Sequence, residues 1–330
     1  MQPRTPMDIQ ELARAFMLSR TILTAHELRV FDRIADGHCR AEEIAQATGT
    51  DTRAMDRLLN ALVGFGLLTK SEDAHFDLTE IARQALVSES PDFVAGLDHT
   101  AQLWNRWHYL TESVRLGTAA APDLNQPRSR EWTERFIAAM QANAAPKADE
   151  LVSMLDLSGV RRVLDLGGGS GAYAAAFARR DERIEPILFD LPDVLDIAAG
   201  YLGKAGILHR IRMLAGDMLR DPLGGPYDLI WVSAIVHMFS PEENAKLLQR
   251  CAEVLAPGGQ LVIYDFIMDE TRTQPPAGAL FALNMLVNTR RGDSYTEQEI
   301  REWMENAGLR YQETKQTRHP TALMIAKKDK

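Results

Sequence analysis

The chain has 330 residues, and 37 Lys and Arg against 46 Asp and Glu give a formal net charge of −9 at pH 7. That balance argues against a dedicated nucleic-acid binder, while 45% hydrophobic and 25% charged residues exclude disordered and collagen-like chains and describe an ordinary globular protein. At the usual domain size the length suggests roughly two domains. Two cysteines, Cys39 and Cys251, form neither a disulfide framework nor a zinc-type cluster, which fits a reducing compartment. The N-terminus, MQPRTPMDIQELARAF, has no apolar signal core, and nowhere is there the ~18-residue uncharged apolar run of a membrane span. The expectation is a cytoplasmic protein with no membrane partner.

Residues 8 to 36 carry Ile9, Leu12, Phe16, Leu23, Leu28, Phe31 and Ile34 at helical spacing, which predicts one long helix or two consecutive ones. CRAEEIAQATGT predicts a short helix ended by Gly49. DTRAMDRLLNALVGFGLL predicts another, with Asp51 as N-cap and Met55, Leu58, Leu59, Leu62 and Val63 along one face. LLTKSEDAHFDL reads as two short strands around Ser71-Glu72-Asp73. Together these elements predict a winged helix. Residues 90 to 150 read as helical again, broken by a Gly- and Pro-marked loop, GTAAAPDLNQPR, and rich in large side chains: Trp104, Trp107, His108, Tyr109, Trp132, Phe136 and Met140. From Val160 onward RRVLDL, IEPILFDL, IRMLAGDM, YDLIWVSAIV and GQLVIYDFIM are spaced as βα units, which implies a mostly parallel sheet covered by helices. RYQETKQT and TALMIAKK close the chain as two further strands.

The most informative segment is VLDLGGGSGAY, residues 163 to 173. A buried strand ends at Leu166, and glycines at 167, 168, 169 and 171 turn the chain into a helix; glycine permits positive φ and lets a ligand lie against the main chain. A dinucleotide site would want its third glycine at Ala172, and a P-loop would need Gly-Lys-Ser/Thr, so both phosphate readings weaken. A tight turn that binds nothing is the plain alternative. The next strand ends in Asp190, close to the ~20-residue offset at which an acid accepts hydrogen bonds from ribose hydroxyls. After the third strand, Gly216-Asp217-Met218 offers a carboxylate acceptor beside a polarizable thioether, a pair suited to the edge and face of an adenine. All three elements fall at carboxyl ends of parallel strands, where open α/β sheets bind ligands.

VLDLGGGSG, FDLP, GDM, and PGG before LVIYDF together make the chain resemble the class I S-adenosylmethionine-dependent small-molecule O-methyltransferases, typified by plant caffeic acid and animal hydroxyindole enzymes and their bacterial relatives. The resemblance covers nearly the whole chain, because that family also carries an N-terminal winged-helix dimerisation domain. It implies a Rossmann-like α/β catalytic domain with a mostly parallel seven-stranded sheet over 151–330, a winged-helix dimerisation domain over 1–95, and a helical connector over 96–150 that contributes to an acceptor pocket. It implies S-adenosylmethionine as cofactor, held by Asp165, Gly167, Gly169, Gly171, Asp190, Leu191, Gly216, Asp217, Met218 and Ser233. The glycines pass under the methionine part, Asp190 takes the ribose hydroxyls, and Asp217 and Met218 take the adenine. The implied partners are a small-molecule acceptor and a second copy of the chain.

In that frame His237, at the end of the fourth strand, is the catalytic histidine. Methyl transfer to oxygen needs a nucleophile stripped of its proton and held in line with the sulfonium. Imidazole's intrinsic basicity suits that abstraction, much of the remaining work is positioning, and no metal is required. Asp265, at the end of IYDF, falls where the family sets an acid against the histidine to fix its tautomer. Alone, such a histidine is more often a satisfied structural residue, and the aspartate's plain alternative is to cap the strand or contact the cofactor side. The chain departs from the family at Gly292-Asp293-Ser294-Tyr295, where a second glutamate is common and Asp293 is the available substitute. It departs again at Ser233 and at Met238-Phe239, where the plant branch has Lys and Asp-Trp. Met140, Phe281 and Met285 are the acceptor-pocket candidates, with Trp104, Trp107, Phe136 and Asn284 nearby in the same segments, although helical spacing suits core or dimer interface equally. The expected reaction is O-methylation of an aromatic or polyketide-like hydroxyl; C- or N-methylation and a non-methylating relative are the alternatives.

A winged helix is also a DNA-reading architecture, which raises a metabolite-sensing transcription regulator as a second class. Residues 1 to 90 hold ten basic against fourteen acidic residues, a net −4, and the wing turn is Ser-Glu-Asp. DNA-binding modules concentrate basic residues on phosphates. The expectation is a dimerisation scaffold that binds no nucleic acid.

Overall fold

The structure, a computed structural model, describes residues 3–122 and 129–330, so residues 123–128 of the expected GTAAAPDLNQPR loop lie outside the described residues. The chain divides into two compact units, Met1–Leu103 and Trp104–Lys330.

The first unit opens with three helices, Pro6–Arg14, Phe16–Glu27 and Val30–Ala35, where the apolar spacing alone predicts one or two. Arg29, at φ 58, breaks the run: this left-handed backbone cannot continue a right-handed helix. The helix Ala41–Thr48 ends at Gly49 in the left-handed region, φ 66, as its sequence implies. Asp51 caps Thr52–Gly64 by accepting a 2.9 Å hydrogen bond from the Ala54 amide. Strands β1 (Leu68–Lys70) and β2 (Phe76–Leu78) pair antiparallel, and the helix Glu80–Leu86 follows. Helix, turn, helix and hairpin follow in the order of a winged helix around a core of Phe31, Ile44, Leu59, Leu62 and Phe76. Met7, Ile9 and Met17, by contrast, are 62%, 60% and 54% exposed on the first two helices.

In the second unit, strands β3 (Arg162–Leu166), β4 (Glu185–Asp190), β5 (Arg212–Ala215), β6 (Tyr227–Ser233), β7 (Leu255–Asp265), β8 (Leu309–Gln316) and β9 (Ala322–Lys328) form one sheet in the order β5-β4-β3-β6-β7-β9-β8. Neighbours from β5 to β7 are parallel, and β9 runs antiparallel to both β7 and β8. Helices cover both faces, so the inner strands β3, β4, β6, β7 and β9 are mostly buried and read as largely apolar runs, while the edge strands β5 and β8 are not. In β6, Leu229 and Trp231 pack with Tyr173, Phe177 and Val262 on one face, while Ile230 and Val232 pack with Leu164, Phe189 and Ile263 on the other; all four are fully buried. Each such aliphatic side chain contributes roughly 1.5–3 kcal/mol on burial. The strand order reverses between β3 and β6. Their carboxyl ends therefore diverge and open the crevice in which doubly wound sheets bind ligands. Among the described residues no helix is long and apolar enough to cross a membrane.

Candidate active site

The crevice is lined first by the turn from β3 into the helix Ala172–Arg180. Gly167, Gly169 and Gly171 have φ of 68, 57 and 80, which favours glycine at each. Gly168 is required for a different reason: a Cβ there would lie 2.6 Å from Asp165 Oδ2. A Cβ on Gly167 would lie 2.8 Å from Met218 Cε, which places the Met218 thioether across the turn from β5. Beneath it Asp165 is fully buried. Its Oδ2 accepts a 2.9 Å hydrogen bond from the Ala174 amide, and its Oδ1 has no partner among the described residues. Burial pushes this carboxyl up to about 7, opposed by the Ala174 N–H and reinforced by the nearby charge of Asp190.

Asp190 ends β4 and ties that strand to the turn. Its Oδ2 accepts from the Gly169 amide at 2.9 Å and its Oδ1 from the Leu191 amide at 2.8 Å, and burial outweighs both in raising its carboxyl above the ordinary range. Leu191, next in the chain, is 52% exposed. At the end of β5 the Gly216 amide donates to the Asp190 carbonyl at 3.0 Å, and a Cβ on Gly216 would lie 2.8 Å from Phe189 Cζ. Asp217 accepts from the Leu219 amide at 2.9 Å through Oδ1 and lies 3.6 Å from Arg220 through Oδ2. Ser233, at the end of β6, hydrogen-bonds the Tyr173 hydroxyl, whose titration burial drives upward.

Beyond β6 a short 3-10 turn, Val236–Met238, carries His237. Its Nδ1 lies 2.9 and 3.0 Å from the two carboxylate oxygens of Asp265, at the end of β7; the imidazole is nearly buried and the carboxylate is buried. The Phe266 amide also donates to Asp265 Oδ1 at 2.8 Å, holding the carboxylate in place. This engagement of Nδ1 leaves Nε2 as the ring nitrogen that the acid does not hold. Phe281, on the helix Pro276–Asn288, meets the imidazole edge to face at 4.8 Å and packs on Phe266 at 4.8 Å. Met285 is buried on the same helix. Asn284 Oδ1 accepts from Trp107 Nε1 at 2.9 Å and from Asn288 Nδ2 at 3.1 Å, which fixes the amide with its Nδ2 end turned away from both. Met140 sits half-buried on the helix Arg130–Ser153; the same helix brings Ile137 Cδ1 to 3.7 Å from where a Cβ on Gly169 would be.

Asp293 meets the histidine turn through its main chain. Its amide donates to the His237 carbonyl at 3.0 Å, while its carboxylate accepts from the Ser294 amide at 2.8 Å and lies 3.4 Å from Arg272 Nη1, with burial raising its titration. Two supports of the histidine turn carry no sequence signal. Asn244, fully buried, donates through Nδ2 to the Val236 carbonyl at 2.8 Å and the Phe239 carbonyl at 3.3 Å. Gly292 packs so closely that a Cβ would strike the His237 carbonyl oxygen. In sequence the first is one polar residue in an amphipathic helix and the second an ordinary loop glycine.

These residues fit an adenosine-bearing cofactor on their own chemistry. Asp190 and Asp217 present acceptors at adjacent strand ends, Leu191 leaves apolar surface uncovered beside them, and the glycine turn offers main chain without side chains. Comparison with known proteins agrees. Residues 107–310 match the model of an O-methyltransferase domain, and residues 10–88 match that of an O-methyltransferase dimerisation domain. The chain is 32% identical, over 92% of its length and 89% of the relative's, to 3-hydroxy-5-methyl-1-naphthoate 3-O-methyltransferase of Streptomyces sahachiroi. It is 29% identical, over 98% and 97%, to the tetracenomycin polyketide synthesis 8-O-methyltransferase TcmO of Streptomyces glaucescens. The crystal structure of human N-acetylserotonin methyltransferase in complex with S-adenosylmethionine superposes with a TM-score of 0.86 at 26% identity, covering 100% of this chain and 99% of that one. With its glycine turn, strand-end acids and dimerisation unit, the chain belongs to the S-adenosylmethionine-dependent O-methyltransferases.

Proposed function

We propose that the protein methylates a hydroxyl of an aromatic or polyketide-like small molecule, with His237 as general base and Asp265 as its orienting partner. The observation that carries this reading is the doubly accepted Nδ1 of His237, which presets the tautomer that leaves Nε2 basic. When bound, S-adenosylmethionine supplies a methyl group activated by a sulfonium. The chain's own residues then do three things. Asp190 accepts from the ribose hydroxyls, while Leu191, Asp217 and Met218 hold the adenine. The glycine turn seats the methionyl end. Phe281, Met285 and Met140 shape the acceptor side, and Asn284 Nδ2 offers a fixed donor one helical turn from Phe281. Naphthoate and tetracenomycin in the relatives' names support a fused aromatic acceptor.

The exposed apolar side chains of the first two helices support a homodimer formed through the N-terminal unit. Division into 1–95, 96–150 and 151–330 follows the same reading, and two unpaired cysteines support placement in the cytoplasm. Labelled-methyl transfer screened over phenols, enols and amines tests the function: label on a phenolic or enolic oxygen is the expected product, and label on carbon or nitrogen overturns the assigned acceptor.

A further inference from the structure

The helix Arg130–Ser153 turns one stripe toward the sheet, at positions 137, 141, 144, 148 and 151. Ile137, Ala148 and Leu151 are buried, and Ala144, Ala148 and Leu151 join the cluster of Tyr173 and Phe177 on the helix that follows the glycine turn. Ile137 reaches Gly169. The residue between Ile137 and Ala144 on this apolar stripe is Gln141. Its Oε1 is buried, and it has no hydrogen-bond partner among the described residues. An amide oxygen so placed loses its hydration and recovers no hydrogen bond among the described residues, so an apolar residue would serve the packing better. Close below the same turn lies a second buried acceptor without a partner, Asp165 Oδ1. Two acceptors without a partner among the described residues, one below the turn and one on the helix whose Ile137 packs on it, describe a seat for a donor.

We propose that Gln141 is a cofactor-positioning residue whose Oε1 accepts a hydrogen bond from the α-ammonium of the methionyl part of S-adenosylmethionine. The ammonium is the donor at that end of the cofactor; the adenine amino group lies at the other end, with Asp217. The inference rests on the methionyl end lying at the glycine turn. Holding the ammonium fixes the amino-acid arm, and with it the direction in which the sulfonium presents its methyl group.

Calorimetry with two probes tests this without turnover: S-adenosylhomocysteine, which has the amino-acid arm, and 5′-methylthioadenosine, which lacks it. Gln141→Leu is expected to weaken S-adenosylhomocysteine about tenfold or more, the loss of a hydrogen bond to a charged group, and to leave 5′-methylthioadenosine unchanged. Gln141→Glu is expected to keep S-adenosylhomocysteine binding, because it still offers an acceptor. Unchanged S-adenosylhomocysteine affinity in Gln141→Leu overturns the proposal, as does an equal loss for both probes or a loss in Gln141→Glu as large as in Gln141→Leu. Asp190→Asn separates this from the underlying placement: it should weaken both probes, and if it weakens neither, the placement of the adenosine fails whatever Gln141 does.

Discussion

His237 Nδ1 and the carboxylate of Asp265 stand 2.9 Å apart although 28 residues separate them in the chain. Parallel pairing of β6 with β7, Ser233 opposite Tyr264, brings both strand ends to one level; the chain leaving β6 then needs a single short turn to lay the imidazole on the acid. The hydrogen bond sets which ring nitrogen is basic.

Replacing His237 by Ala should lower kcat by about 10²- to 10⁴-fold, the usual share of a general base, while the calorimetric affinity for S-adenosylmethionine stays within twofold or so. Asp265→Asn keeps the volume and loses the tautomer control, so kcat should fall with little change in cofactor affinity. Steady-state kinetics paired with calorimetry checks both, and undiminished turnover in His237→Ala removes it from the base's role.

Gly292→Ala is expected to act at a distance from any ligand. The added methyl group meets the His237 carbonyl oxygen, a backbone atom that cannot swing aside, so the turn must shift. A misplacement of about 1 Å at a reacting group costs on the order of 10²-fold. The variant should therefore lose kcat far more than cofactor affinity, and a wild-type kcat would show that the turn absorbs the methyl group.

Trp107→Phe removes the indole N–H that holds Asn284 Oδ1 and leaves the amide held by the 3.1 Å bond from Asn288 Nδ2 alone, which loosens its orientation. We expect a several-fold rise in the acceptor's KM with cofactor affinity intact. If the acceptor's KM does not move, Asn284 has no part in binding it.

Two raised carboxyls give opposite-looking pH effects. Asp165 titrates at about 7 when folded, well above an unfolded aspartate, so the folded protein holds the extra proton between about pH 4 and 7. Stability from this group is therefore full at the acid end of that window and is lost as pH rises through it. Chemical denaturation of Asp165→Asn should show a stability that gains on the wild type as pH rises across the window; a constant difference would place the Asp165 titration elsewhere. Asp190, also raised by burial, is in its proposed role the stronger acceptor for ribose when ionised. Cofactor affinity should thus decline on acidification at a higher pH than an ordinary carboxylate would cause, and Asp190→Asn should remove that part of the slope.

The βα rhythm, the glycine turn and the acids at strand ends are legible in the sequence because each is a local signal: apolar runs of strand length, residues that tolerate positive φ, and chemistry placed one step after a strand. Asp51 and Gly49 fall at their helix ends for the same reason. The family pattern, more than spacing, paired His237 with Asp265, since nothing local says that β6 and β7 are neighbours. Contacts made only once the sheet is assembled were decided elsewhere. Arg29 adopts a left-handed backbone that splits the N-terminal helical run, against its propensity. Asp293 gives its carboxylate to Arg272 and only its amide to His237. Trp107 finds Asn284 across 177 residues, and Gln141 buries its Oε1 although the rest of its helix face is apolar. Sequence periodicity determines which residues share a face of one element; the order of strands in the sheet, a property of the whole chain, determines what that face meets.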